Sequence, residues 1–292
     1  MESVANSEKA GNEVPILRTD KDKRQVPFVY VSPSRTLLEL SLWFSGLQVC
    51  HVPVIDERTR VIGVITPHDV LHVIERNQTD IVRSLLSIGV SEVAHPVPLL
   101  SLDDPVDEVV LRVLDDQCKC GVMLDSNGQP VAIISCYDVL KLALGVEGLS
   151  ESLAEIPVGA VASKVKVLPF ETTVRQAITA LVSYLGEPLV IEQTDFAVTS
   201  RSLLSSILSP KAIPKLLKGD EEVLDSYLVY ENDALVRVPV ISNGRSLVEV
   251  IRLLADAKAE ILRVENNGYV TVRNLIEFIR NRLRALANAQ DS

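Results

Sequence analysis

One short pattern recurs four times along this 292-residue chain, and that recurrence constrains its architecture more than any other feature. The segment from His51 to Ile74 reads HVPVIDERTRVIGVITPHDVLHVI. It holds an apolar strand (Val52 to Ile55), a charged turn (Asp56 to Arg60), a second strand (Val61 to Ile65) and then Thr66-Pro67-His68-Asp69 opening a helix. Thr66 suits the N-cap, Pro67 the first helical position, and Asp69 the first turn, where the helix dipole favours an acid. The same order returns at Gly121 to Leu142, with Asn127-Gly128 as hairpin turn and Ser135-Cys136-Tyr137-Asp138 at the corner. It returns again in PLVIEQTDFAVTSRSLLSSI, with the corner Thr199-Ser200-Arg201-Ser202, and in ILRVENNGYVTVRNLIEFI, with the corner Thr271-Val272-Arg273-Asn274. The corner hydroxyls at 66, 135, 199 and 271 lie 69, 64 and 72 residues apart.

Each corner follows a strand, a polar turn and an amphipathic helix: YVSPSRTLLELSLWF, LLSLDDPVDEVVLRVL, VLPFETTVRQAITALV and PVISNGRSLVEVIRLLA. Apolar residues such as Val106, Val109, Val110 and Val113 fall there at helical spacing. Repeats of this size stack to bury faces that no unit can bury alone. The expected fold is α/β (mixed α and β), built from four β-α-β-β-α repeats at 26–78, 92–146, 158–208 and 234–286. Extra helix is expected at Asp80 to Ile88 and Pro214 to Tyr227, and the polar stretch 1–25 reads as a flexible tail.

Composition narrows the function. Lys plus Arg number 29 against 39 Asp plus Glu, and the net charge of -10 argues against a general nucleic-acid or membrane-surface role. The most apolar stretch, Leu37 to Ile55, is interrupted by Glu39, Gln48 and His51, short of the roughly 18 apolar residues of a membrane span. The opening MESVANSEKA lacks the regions of a signal peptide, and four cysteines are too few for a disulfide scaffold, so a reduced, cytoplasmic protein is expected. Cys118-x-Cys120 is spaced too closely for the usual zinc site, so no metal is expected. No phosphate-cradling G-x-x-x-x-G-K, no G-x-G-x-x-G, no G-x-S-x-G and no H-E-x-x-H is present, and all four histidines precede residue 96. The chain is therefore expected not to be an enzyme.

The repeat resembles the cystathionine-β-synthase (CBS) domain, a regulatory module that works in pairs. Its short signature is Gly, an apolar residue, any residue, Thr or Ser, two residues, then Asp or Asn. Gly63 to Asp69 matches fully; Ala132 to Asp138 lacks the glycine; Gly268 to Asn274 ends in Asn; Phe196 to Ser202 lacks both glycine and acid. The resemblance implies two tandem pairs, each packed through its sheets into a pseudo-twofold module with two clefts, the two modules together forming a flat disc. Four repeats in one chain also resemble, in architecture, the gamma subunit of AMP-activated protein kinase. The implied ligand is an adenine nucleotide (AMP, ADP or ATP), with no cofactor; the implied partner is an unidentified protein, on a monomeric disc or a homodimer.

The residues suit such a ligand chemically. An Asp in the first helical turn can accept bonds from two ribose hydroxyls, which makes Asp69 and Asp138 candidates, with Asn274 as an amide substitute. Thr66, Ser135, Thr199 and Thr271 place hydroxyls and free amides where a helix dipole favours phosphate, although each could serve only as a cap. His51, His68 and Lys119 are candidate phosphate contacts, and Arg201 and Arg273 stand where they can compensate for the missing acids. Ser202 is short and uncharged, so the third ribose site is expected to be degraded. The first two repeats are thus expected to form the principal ligand site. Two rival readings remain: a docking scaffold that binds no nucleotide, and a binder of S-adenosylmethionine.

Overall fold

A computed structural model describes residues 28–47 and 49–290. The tail expected over 1–25 lies outside the described residues. The first repeat contains α1 (Leu37–Leu47), β1 (Val52–Ile55), β2 (Val61–Ile65) and α2 (Pro67–Arg76), followed by α3 (Ile81–Ser87). The second contains β3 (Leu99–Ser101), α4 (Val106–Asp115), β4 (Gly121–Leu124), β5 (Pro130–Ile134) and α5 (Cys136–Ala143), followed by α6 (Leu149–Ala154). The third has β6 (Val167–Leu168), α7 (Val174–Ser183), β7 (Leu189–Ile191), β8 (Phe196–Val198) and α8 (Ser200–Ile207), followed by α9 (Ile213–Leu216) and α10 (Glu222–Asp225). After β9 (Leu235–Arg237), the fourth has β10 (Val240–Ile241), α11 (Leu247–Ala257), β11 (Ile261–Val264), β12 (Gly268–Thr271) and α12 (Val272–Gln290).

Three repeats begin with a strand that pairs in parallel with the first arm of the hairpin: β3 with β4, β6 with β7 and β10 with β11. In the first repeat this strand shrinks to one bridge, Val31 to Val54. The helix expected across 214–227 is two short pieces, because Gly219 takes a left-handed φ of +74° that ends α9. One segment departs from the expected boundaries. Residues 235–237, placed by sequence in the fourth repeat, form β9 and pair antiparallel with β8 of the third.

The signature glycines have a packing role. A Cβ on Gly63 would come within 2.5 Å of the His95 carbonyl, because the linker after the first repeat bridges β2 through Val64 and His95. Gly268, at φ +100°, meets the Ser163 carbonyl in the same way, with Ser163 bridging Tyr269. The glycine thus recurs where a linker crosses the strand before the corner.

The repeats associate in two ways. Through their sheets, the first packs on the second around Val64, Cys120 and Val122, and the third on the fourth around Val190, Ala197, Val238 and Ile261. Through their helices, the first packs on the third and the second on the fourth. Helix α2 lies against α7 and α8, and α1 against α8; α5 lies against α11 and α12. One core therefore joins Leu40, Phe44, Leu71 and Ile74 to Ile178, Leu181, Leu203 and Ile207. The other joins Val109, Val113, Leu140 and Ala143 to Val250, Leu254, Leu275 and Ile279. The apolar helical faces read from sequence are the surfaces that tie the two halves together, and their burial is the main driving force for that union.

Candidate functional site

Strand register fixes which residues are equivalent. Val52 pairs with Ile65, Gly121 with Ile134, Leu189 with Val198 and Leu262 with Val270, and the residue after each partner is a corner hydroxyl. Counting back two residues from the first of each pair gives Cys50, Lys119, Glu187 and Glu260; counting on two from each hydroxyl gives His68, Tyr137, Arg201 and Arg273. Lys119 is thus in register with Cys50 rather than with His51.

These eight residues gather crosswise into two clusters, each drawing on all four repeats. In the first, Arg201 Nη1 lies 3.5 Å from Cys50 Sγ and Nη2 lies 3.4 Å from Glu260 Oε1. Tyr137 completes it: the hydroxyl donates to the Lys258 carbonyl at 3.1 Å, and burial, with Glu260 close by, pushes the phenol up. In the second cluster Arg273 pairs with Glu187 and donates to the Leu185 carbonyl at 3.3 Å. Its charge also lies near His68 and Lys119.

The clusters differ in charge. Burial pushes the Glu260 carboxyl up while Arg201 opposes it, so the first cluster balances one acid against one base. Cys50 and Cys136 beside them are also pushed up by burial and are thiols at neutral pH. The second cluster carries an excess of cations. Burial and the neighbouring Arg280 and Arg273 guanidiniums hold the Lys119 ammonium below its ordinary value, and Lys119 Nζ donates to the Leu114 carbonyl at 2.8 Å. Against these stands Glu187, itself pushed up by burial.

Around the second cluster three buried side-chain atoms have no hydrogen-bond partner among the described residues: His68 Nδ1, Ser200 Oγ and Arg280 Nε. Ser200 is only 8% exposed. Gly186, at φ +74°, brings the first two together: a Cβ there would lie 3.1 Å from His68 Nδ1 and 3.2 Å from Ser200 Oγ. Unsatisfied buried polar atoms are costly, and few occur without a reason.

The corner acids fare differently. Asp69 Oδ2 accepts from the Thr66 amide at 2.7 Å and hydroxyl at 2.8 Å, and its Oδ1 lies 2.8 Å from His95 Nε2. Asn274 Oδ1 accepts from Thr271 and from the Ser163 hydroxyl. Ser202 donates to the Ala234 carbonyl at 2.8 Å, and Thr199 and Ser202 are both buried. Asp138 Oδ2 accepts from the Ser135 amide and hydroxyl, and its Oδ1 has no protein partner among the described residues. His51 turns away from the clusters: Nε2 donates to the Cys118 carbonyl at 3.1 Å, and burial holds the imidazole below its ordinary pKa. Nδ1 is then the unprotonated acceptor, and it has no partner among the described residues.

The structure therefore brings His68, Lys119 and Arg273 together, and leaves His51 and Thr199 outside that group. Ser200, Arg280, His95, Glu187 and Glu260 were not singled out by sequence. The two acids carried a readable signal, since they occupy in the third and fourth repeats the place before the strand that holds Cys50 and Lys119 in the first two. Cys118 is pushed up to about 12, with burial as the leading cause. No cluster of three or more His, Cys, Asp or Glu suited to a metal ion occurs among the described residues. Nor is any helix among them long and apolar enough to cross a membrane.

Residues 24–76 match the family model of the CBS domain. No curated protein matches the chain. Among solved structures it is similar to the protein MJ1225 of Methanocaldococcus jannaschii, described as a proposed archaeal homologue of g-AMPK. The TM-score is 0.71 at 16% identity, covering 90% of this chain and 99% of that one. An uncharacterized conserved protein from Pyrococcus horikoshii aligns over 86% of this chain and 95% of its own, at 17% identity and TM-score 0.47. CBSX2, a CBS-pair protein of Arabidopsis thaliana whose complex with AMP has been solved, aligns over 40% of this chain and 88% of its own, at 20% identity and TM-score 0.33. Residues 24–76 thus match the CBS domain by sequence, and the chain as a whole shares the fold of MJ1225.

Proposed function

We propose that this chain is a non-enzymatic regulatory protein that binds an adenine nucleotide (AMP, ADP or ATP) at the first corner, ribose on Asp69 and phosphate in the second cluster. The observation that carries the reading is the trio of buried, unpartnered atoms on His68, Ser200 and Arg280 beside the cationic Lys119. Each of these groups can donate to a phosphate, and His68 stands in the first turn of α2, where the backbone dipole favours an anion. Asp69 is the chain neighbour of His68, so a ribose-reading carboxylate and the cationic cluster adjoin. For the ribose to bind, His95 has to leave Asp69; its side chain is 53% exposed.

Asp138 favours a second reading for its own cleft. It keeps an oxygen without a protein partner, but its neighbours Cys136 and Tyr137 belong to the first cluster, whose cation Arg201 already faces Glu260. That combination suits an adenosyl group without phosphate, such as S-adenosylmethionine. Because each cluster draws on all four repeats, a ligand there can shift how the halves sit together. It can report to a protein partner through that partner's different affinity for the two arrangements.

A thermal-shift series with AMP, ADP, ATP, adenosine and S-adenosylmethionine tests the reading. A ligand that binds only the folded state raises stability, by about 2.7 kcal/mol at a hundredfold excess over Kd. Stabilisation by a nucleotide but not by adenosine is the expected result. No shift with any of the five favours a docking scaffold instead.

A further inference from the structure

We propose that Glu187 and Glu260 are built-in occupants of the anion positions of the second module, each carboxylate taking the place of a ligand's phosphate on the corner arginine of the partner repeat. The pairing is reciprocal. Glu260 of the fourth repeat faces Arg201 of the third, and Glu187 of the third faces Arg273 of the fourth. The four residues occupy two equivalent positions, so one device appears twice about the pseudo-twofold of the module. Each acid's partner arginine stands two residues after a corner hydroxyl, Arg201 after Thr199 and Arg273 after Thr271. Corner hydroxyl, corner cation and helix N-terminus are the set that would receive a phosphate. Here the chain supplies the anion itself.

The first module has nothing comparable. Its equivalent positions hold Cys50 and Lys119, a thiol and an ammonium, and its corners hold Tyr137 and His68. Neither Cys50 nor Lys119 is an acid, and His68 Nδ1 has no partner among the described residues. The inference rests on the nucleotide reading for the class of ligand excluded, but the carboxylates can be tested without a nucleotide.

The test uses the full chain in phosphate-free buffer with inorganic phosphate as probe, chloride at matched ionic strength as control, and melting temperature and calorimetry as readouts. Glu187→Ala is expected to melt lower than the wild type and to regain the loss on adding phosphate. Its affinity for phosphate at this position is expected to rise about tenfold or more, the worth of one charge-assisted hydrogen bond. Glu260→Ala should behave alike at Arg201. The pair Glu260→Ala with Arg201→Met removes acid and base together and should show no regain. If an alanine variant does not fold, Glu187→Gln keeps the volume, and it too should bind phosphate more tightly than the wild type. Alanine and glutamine variants that gain no phosphate affinity would overturn the proposal. Phosphate gain in these variants with no AMP binding to the wild type overturns the nucleotide reading alone. AMP binding without phosphate gain overturns this one alone.

Discussion

The two modules share one fold and one set of equivalent positions, yet they close those positions differently. In the second, two arginines and two glutamates neutralise each other across the repeat interface. In the first, the matching places carry Cys50, Lys119, Tyr137 and His68, which cannot pair off in that way. A half-buried ion pair satisfies its own charges and needs no visitor. A half-buried ammonium among guanidiniums, with orphaned donors beside it, is left with charge that an anion can answer. The comparison teaches that equivalent positions can be closed in different ways: the residue two places before each hairpin strand decides whether the corner cation of the opposite repeat meets an acid.

The largest effect should come from breaking the self-filled side. Glu260→Ala leaves Arg201 half-buried, with no acid, and is expected to cost about 3 kcal/mol in urea unfolding, because removing one member of such a pair strands the other. The double variant Arg201→Met with Glu260→Leu should recover most of that loss. Neither should change nucleotide affinity at the first corner. On the open side, Lys119→Met should lower nucleotide affinity by about ten- to a hundredfold in calorimetry, the range for a lost charge-assisted hydrogen bond. Because Lys119 sits at φ +53°, methionine keeps the backbone strain unchanged, whereas glycine would relieve it.

The histidines give a smaller signature. His51 and His68 both have folded pKa values held below 6.5, chiefly by burial. Their neutral forms therefore favour the fold above pH 6.5, and that contribution is lost as pH falls through the folded values, by at most about 1.4 kcal/mol per pH unit for each ring. Chemical melts from pH 7.5 to 5 should show the decline, and His51→Gln with His68→Gln should flatten it. The smallest effect is expected from Ser200→Ala. Stability should hold or rise slightly, since an unpartnered hydroxyl is removed, while nucleotide affinity falls about fivefold, the worth of one neutral hydrogen bond. A stability loss without an affinity loss would place Ser200 in packing alone.

Much of the fold could be read along the chain, because its signals are local. Thr66-Pro67-His68-Asp69 opens α2, and Asn127-Gly128 turns the hairpin between β4 and β5, as their chemistry requires. The pairing of helices between halves was not legible. An apolar face announces burial but not its partner, and α2 meets α7 rather than α4. The site was legible only in part for the same reason. Sequence gave Asp69 and Asp138 equal standing, whereas a linker residue distant from the motif, His95, contacts one and leaves the other open. Arg201 and Arg273 were expected to make up for missing acids at their own corners. They are instead held by acids from the opposite repeat, a contact that no local spacing encodes.

The most direct test is a calorimetric titration of the wild-type chain with AMP, ADP, ATP and adenosine. One site per chain is expected, with affinity that depends on the phosphate and falls away for adenosine. Full affinity for adenosine, or a second phosphate-dependent site of equal strength at Arg201, would contradict a phosphate site confined to the cluster that leaves its cations open.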